Sequence, residues 1–304
     1  MTRPKIVCIG ECMIELSRID LTAGTAHVGF AGDTLNTAVY LARLGCDVSY
    51  LTVLGKDAFS DRMVAMFAAE GIGTALVGRH DTRLPGLYTI ETDVTGERSF
   101  RYWRDTSAAR TMFSGVGADL ADLARFDVIY LSGITMGILP PDIRAALTDS
   151  IMRQKEVGKL VVFDTNYRAR LWPDEATARA CFDAMWAATT IALPSYDDEE
   201  RLHPGLTLHA VMDRIAALGP VEIVLKNGAQ GPSIRHGGET VQTALPVAST
   251  VVDTSGAGDS FNAGYLAARL RGETPLQAAA AGHGLAATVI GHHGAVIPRA
   301  AMPA

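Results

Sequence analysis

Apolar residues recur along this chain in two alternating patterns. Short unbroken apolar runs, of the kind buried on both faces of a sheet, stand at Lys5–Gly10 (KIVCIG), Val48–Leu54, Asp127–Leu131, Lys159–Asp164 (KLVVFD), Ile191–Pro194 and Glu222–Lys226. Segments with apolar positions at helical spacing alternate with them: Asp33–Leu44 stopped by Gly45, Asp57–Glu70 closed by Gly71, Pro141–Glu156 and Asp174–Ala187. The runs at Ile191–Pro194 and Glu222–Lys226 read as the strands of two further strand–helix pairs, and helices near Gly258–Leu270 and Thr274–Ile290 close the chain. Strands alternating with helices predict a mostly parallel sheet covered on both faces. Two stretches break the alternation. Cys12–Phe30 and Gly86–Trp103 read as consecutive strands joined at turn residues, Gly24 and Thr95-Gly96, with no helix between, and predict a small separate sheet.

Composition narrows the class. With 304 residues, 48% hydrophobic and 20% charged, the chain has ample length for a core and the balance of a globular protein. The expected organisation is one domain over 1–304, with strands from about 12–30 and 86–103 inserted. A net charge of −6 and the lack of a dense Lys/Arg block argue against nucleic-acid binding. Cys8, Cys12, Cys46 and Cys181 show no paired CxxC spacing, and Cys8 and Cys12, flanking Gly10-Glu11 in a strand-like segment, read as buried free thiols. The apolar run after Lys5 is too short for a signal peptide or membrane span, so no membrane partner and a cytoplasmic location are expected.

Chemistry concentrates in Asp253-Thr-Ser-Gly256-Ala257-Gly258-Asp259-Ser-Phe-Asn-Ala263-Gly264-Tyr-Leu266. Three small residues let the backbone turn sharply and approach a ligand. The helix that follows offers unpaired N–H groups and the positive end of its dipole, which together bind phosphate. An Asp in a first helical turn can be only a cap. Beside a phosphate site it can also take a proton from a hydroxyl that attacks phosphorus.

Other candidates surround this stretch. Gly32-Asp33-Thr34-Leu35-Asn36 opens a helix, where Asp33 can cap and bind at once. Tyr88, Tyr102 and Arg104 lie on the small sheet, and Arg168 follows the buried strand that ends at Asp164, where ligands of open α/β sheets bind. Two guanidinium groups, Arg104 and Arg168, over one pocket suit a carboxylate, which each can grip with parallel hydrogen bonds. His292-His293 lacks further partners at ligand spacing. The chain carries no GxxxxGK[ST], no GxGxxG opening a helix after a strand and no HExxH, which disfavours a Walker-type nucleotide site and a zinc peptidase.

The run Asp253–Leu266 resembles the C-terminal signature of the ribokinase-like (PfkB) carbohydrate kinases, and Gly32–Ala38 resembles their N-terminal one, although Thr34 stands where a smaller residue is usual. The resemblance extends from Ile9–Glu15 to Ala295–Arg299. Within the family the finer likeness, carried by Leu84-Pro-Gly-Leu-Tyr88, Tyr102-Trp-Arg104, Asn166-Tyr-Arg168 and Leu171-Trp172, is to kinases of 2-keto-3-deoxygluconate. It implies a three-layer α/β/α fold with a small β-sheet lid, and transfer of the γ-phosphoryl group of ATP to the 6-hydroxyl of that sugar acid. Asp259 is then the catalytic base, and the amides of Gly256, Ala257 and Gly258 hold the charge of the transferred group. Gly32, Asp33, Asn36, Tyr88, Tyr102, Arg104 and Arg168 meet the sugar acid. Asn166, Arg168, Lys226, Gly228, Gly231 and His283 join the glycine turn in holding ATP. Family members also carry an Asn-x-x-Glu that organises Mg2+. Here Ser195-Tyr-Asp-Asp198-Glu199-Glu200 replaces it, and Asp198 is the best positional match. The lid implies a homo-oligomer, since an exposed sheet has edges to cover. A kinase of a neutral sugar such as fructose, and a catalytically silent sugar-acid-binding regulator, are the competing readings.

Overall fold

The computed structural model describes residues 3–92, 98–242, 245–246 and 250–303. The six apolar runs are strands β1 (Lys5–Ile9), β4 (Asp47–Leu54), β8 (Val128–Ser132), β9 (Leu160–Asp164), β10 (Ile191–Ala192) and β11 (Glu222–Leu225). All six pair in parallel, in the spatial order β11-β10-β9-β8-β1-β4. Their unbroken apolarity follows from burial on both faces. In β1, Ile6 and Cys8 pack into one core while Val7 and Ile9 pack into the other. The strand β9 divides likewise, with Val162 on one side and Val161 and Phe163 on the opposite one.

Helices α1 (Asp33–Arg43), α2 (Ala58–Ala69), α8 (Ala257–Leu270) and α9 (Pro275–Ile290) supply the first core. The second is covered by α3 (Gly133–Ile138), α4 (Pro141–Glu156), α5 (Glu175–Ala187) and α7 (Leu208–Leu218). Caps fall where the sequence places them: Asp57 accepts from the N–H groups of Phe59 and Ser60, and Asp174 from that of Thr177. Thr274 and Gln277 form a reciprocal capping box at α9.

One expected element differs. The strand Glu222–Leu225 is not followed by a helix but by an antiparallel hairpin, β12 (Ser233–His236) and β13 (Glu239–Gln242), which extends the sheet at that edge. Gly237 and Gly238, both at positive φ, make the two-residue turn. Two helices, α6 (Tyr196–Leu202) and α7, follow β10 instead of one. A short strand β5 (Val77–Arg79), too brief to leave an apolar run, adds to the opposite edge beside β4. Cys8 and Cys12 are buried thiols as expected, whereas Cys46 and Cys181 are half-buried, and none is in a disulfide.

The smaller sheet consists of β2 (Met13–Asp20), β3 (Thr25–Ala31), β6 (Leu87–Thr92) and β7 (Arg98–Trp103), in the order β3-β2-β6-β7. Gly24 turns at φ +66°; the other expected turn, Thr95-Gly96, lies outside the described residues. Strand alternation gives this sheet two unlike faces. Met13, Glu15, Tyr88, Ile90 and Tyr102 face a cleft over the carboxyl ends of the large sheet, and Leu16, Val28, Leu87 and Trp103 share the opposite face.

Candidate active site

The cleft has a volume of about 880 Å³, enough for two small ligands side by side. Of the site residues expected from the sequence, all but Gly231 line it. They arrive from the carboxyl ends of parallel strands and the segments that follow them, from the first turns of α1, α6 and α8, from the smaller sheet and, for His283, from α9.

The glycine turn is built by close approach. Gly256 caps α8 at φ +72°, and a Cβ there would stand 2.6 Å from the backbone oxygen of Ala295. Asp253 braces this turn from below, accepting from the N–H of Ser255 at 3.0 Å and of Gly294 at 2.6 Å. The first intrahelical bond of α8 runs from Ser260 N–H to Gly256 C=O, which leaves the amides before it without an intrahelical partner. Gly256→Ala combines a left-handed backbone with contact against main chain. It is expected to cost about 1–3 kcal/mol in urea-induced unfolding and to lower turnover by displacing the amides.

Asp259 sits at the third position of α8, buried, with its Oδ2 accepting from Asn36 Nδ2 at 2.8 Å. Burial, and then the negative charge of Asp33, push its carboxyl up to about 8. Asp33 is raised as well, again mainly by burial, although it accepts from the hydroxyl of Ser132 and from Asn166 Nδ2 at 2.9 Å. Two buried acids that repel each other titrate as a pair. A base must be unprotonated to act, so a raised value moves the loss of activity upward in pH. The acid limb of kcat/KM is expected to fall through the range around 8 and not near the ordinary carboxylate value. Asn36→Ala, which removes a hydrogen bond favouring the charged form, should move that limb further up. A limb in wild type near pH 4 would contradict the electrostatics.

Beneath Asp259 runs a polar network. Asp164 Oδ2, at the end of β9, accepts from Lys226 Nζ at 2.9 Å and from Asn262 Nδ2 at 2.6 Å. Asn262 Oδ1 also accepts from Lys226 Nζ, and its Nδ2 reaches the hydroxyl of Tyr130. Lys226 is thus fixed beside the first turn of α8, where a Cβ on Gly258 would lie 3.8 Å from its Nζ. Asn166 adopts φ +32°, a conformation Asn tolerates better than most residues, and this turns its amide onto Asp33. His283 donates from Nε2 to the carbonyl of Pro246 at 2.7 Å, a carbonyl being an acceptor only.

The expected pair of arginines is not equivalent. Arg104 is buried and its guanidinium donates to Glu11, itself 1% exposed, so its charge is already compensated. Gly86 makes room for this pair, since a Cβ there would meet both Glu11 Oε1 and Arg104 Cβ. Arg168 is more exposed; it donates to the carbonyl of Tyr167 at 2.8 Å and lies 3.9 Å from Asp198. Asp198 also accepts from Tyr167 N–H at 3.1 Å. Its neighbour Glu199 is fully buried and engaged by Arg214 and Thr165. Among the described residues no three acidic, imidazole or thiol groups converge as a metal cage.

Sequence reasoning missed several groups. Glu11 follows β1 with no local signal of its partner 93 residues away. Asp164 and Asn262 lie within the motifs, but their spacing in the chain assigns them no role. Arg170, two residues after Arg168, lines the cleft with its guanidinium carbon 3.3 Å from the ring centroid of Tyr102.

A buried acid at a helix N-terminus, a glycine turn and fixed cations around one cleft are the equipment of a phosphoryl-transferring enzyme. Residues 3–301 match the pfkB family of carbohydrate kinases, and the chain belongs to that family. It is 45% identical over 313 aligned positions to the 2-dehydro-3-deoxygluconokinase of Dickeya dadantii (strain 3937), covering 100% of both chains. It is 43% identical over 309 positions to the protein of the same name from Escherichia coli (strain K12), covering 99% of each. The fold superposes on the fructokinase with bound ATP from Xylella fastidiosa with a TM-score of 0.85 at 22% identity, covering 99% of this chain and 96% of that one.

Proposed function

We propose that this protein transfers the γ-phosphoryl group of ATP to the 6-hydroxyl of 2-keto-3-deoxygluconate. The observation that carries the chemistry is Asp259, a buried carboxylate held by Asn36 at the end of the cleft where the glycine turn meets α8. The sugar hydroxyl gives its proton to Asp259 as its oxygen attacks the γ-phosphorus, and the bond from that phosphorus to the bridging oxygen breaks to release ADP. The amides of the Gly256–Gly258 turn and the ammonium of Lys226 meet the charge that builds on the transferred group. Asp33 and Asn36 orient the hydroxyls of the sugar. The apolar end of the cleft, formed by Val251, Ala286, Ala287 and Ile290 near His283, suits an adenine ring. Asp198, in the cleft wall, would hold through water a Mg2+ ion bound with ATP, which would neutralise phosphate charge there. The smaller sheet closes the sugar end and keeps water from competing with the substrate. Use of cellular ATP fits a cytoplasmic location. Among the described residues no helix is long and apolar enough to cross a membrane.

Support for the sugar acid over a neutral sugar comes from the cations at the sugar end and from full-length relatives named for the keto acid. The neutral-sugar reading draws on one observation, the compensation of Arg104 by Glu11. A coupled ADP-release assay with Mg·ATP decides, comparing 2-keto-3-deoxygluconate, its galactonate epimer, fructose and ribose. Turnover confined to the keto acids is the expected result. A preference for fructose overturns the substrate, and tight keto-acid binding without turnover supports the silent regulator.

The face of the smaller sheet turned away from the cleft exposes Val28 and Trp103, the latter by 60%. A second copy of this chain is proposed to cover it. Light scattering is expected to show an oligomer in the wild type and a lower mass for Trp103→Ser; a wild-type monomer rejects this.

A further inference from the structure

Four arginines line the cleft: Arg104, Arg168, Arg170 and Arg201. A substrate carboxylate gains most from a cation whose charge is not already spent on the protein. Arg104 is neutralised by buried Glu11, and Arg168 leans toward Asp198. Arg201 comes from α6, beside Asp197 and Asp198, on the side of the cleft away from the smaller sheet's strands in sequence and sheet order. Arg170 is exposed, and among the described residues no carboxylate pairs with it. Its contact is with an aromatic ring. The guanidinium carbon lies 3.3 Å from the centroid of Tyr102, while Arg104 lies 5.9 Å from the same centroid.

This distance fixes an orientation. At 3.3 Å the guanidinium must lie face-on to the ring, because any steep tilt would drive a nitrogen into the ring carbons. Face-on stacking leaves the N–H donors in the guanidinium plane directed outward along its edges, where a carboxylate can take two of them at once. Tyr102 is itself immobilised: it stacks on Tyr88 at 5.5 Å and 21°, and the Tyr88 hydroxyl donates to Glu15. Arg170 is attached to the large sheet just after β9, whereas Tyr102 belongs to β7 of the smaller sheet. The stacked pair therefore bridges the two sheets at the mouth of the sugar end.

We propose that Arg170 is a specificity-determining residue for a carboxylate-bearing substrate, with Tyr102 as the platform that presents its donor edge. This rests on the reading of the substrate as a keto acid. The bound carboxylate lies across the junction of the two sheets, so an anionic substrate is gripped where the lid meets the body.

The test compares wild type with Arg170→Met, Arg170→Lys and Tyr102→Leu, measuring kcat and KM for 2-keto-3-deoxygluconate, for its neutral carboxamide and for ATP. Hydrogen bonds to a charged group predict that Arg170→Met raises KM for the keto acid by roughly tenfold to a hundredfold. The KM for ATP and kcat should change little, and KM for the carboxamide should rise much less. Arg170→Lys keeps the charge but loses the paired donors and the stacking face, and should fall between. Tyr102→Leu should resemble Arg170→Lys. An unchanged KM for the keto acid in Arg170→Met, or an equal rise for acid and carboxamide, overturns the role of Arg170 and leaves the keto-acid reading standing. Absence of keto-acid turnover in the wild type overturns that reading, and the role of Arg170 with it.

Discussion

Asp259→Ala is expected to lower kcat by about 10²–10⁴-fold while KM for ATP and for the sugar acid moves little. The reason lies in what the carboxylate touches. It is held by Asn36 at 2.8 Å and buried in the first turn of α8, so in the proposed reaction it would contribute little uniform binding and much proton transfer. Asp259→Asn keeps the shape and should be as inactive, which separates the proton-accepting role from packing. Stability should move the other way. The folded carboxyl is raised above its unfolded value, mainly by burial. Its destabilising effect is absent below the unfolded value, sets in as pH rises past it, and is complete above the folded one. Near neutral pH, Asp259→Asn is therefore expected to match or exceed the wild type in urea-induced unfolding while losing turnover. An inactive variant that is also markedly less stable would assign Asp259 to the framework instead.

Arg104→Met is expected to cost about 3–5 kcal/mol of stability, because it strands the carboxylate of Glu11 in the interior without its partner. Glu11→Gln together with Arg104→Met removes both charges and should recover most of that loss. Recovery of stability without recovery of the KM for the keto acid would show that Arg104 meets substrate as well as Glu11. Recovery of both would make the pair purely architectural. Should Arg104→Met unfold at the same urea concentration as wild type, Glu11 is not dependent on it and the buried pair has been misjudged. The pair also explains Gly86, the one position at that crossing where a side chain would collide with both members.

The smaller sheet shows where sequence patterns are strongest. Cys12–Phe30 and Gly86–Trp103 lack helical spacing, and each became a pair of strands in one small sheet. The error at Glu222–Leu225 has the opposite origin. A four-residue strand with three apolar positions looks the same whether a helix or an antiparallel strand follows, and the next strand, Ser233–His236, carries too few apolar residues to announce itself. The tight glycine turn at Gly237-Gly238 was its only local trace.

What the amino-acid order determined by itself was everything that depends on neighbours in the chain. The parallel strands follow from unbroken apolar runs that can be buried only between two helix layers. The tight turn into α8 follows from Gly256, Ala257 and Gly258, with Asp259 in the first turn of the helix. Groups whose meaning depends on distant partners were decided only by the tertiary structure. Glu11 and Arg104 meet across 93 residues, Asn166 reaches Asp33 across 133, and Asn36 reaches Asp259 across 223. Local spacing carries no record of such contacts, because they arise from which strand ends the sheet order brings together. For the same reason two arginines that looked alike in the sequence differ in the fold, one neutralised in the interior and the other left to the solvent edge. Burial and charge compensation are properties of a neighbourhood, and the neighbourhood exists only once the chain has folded.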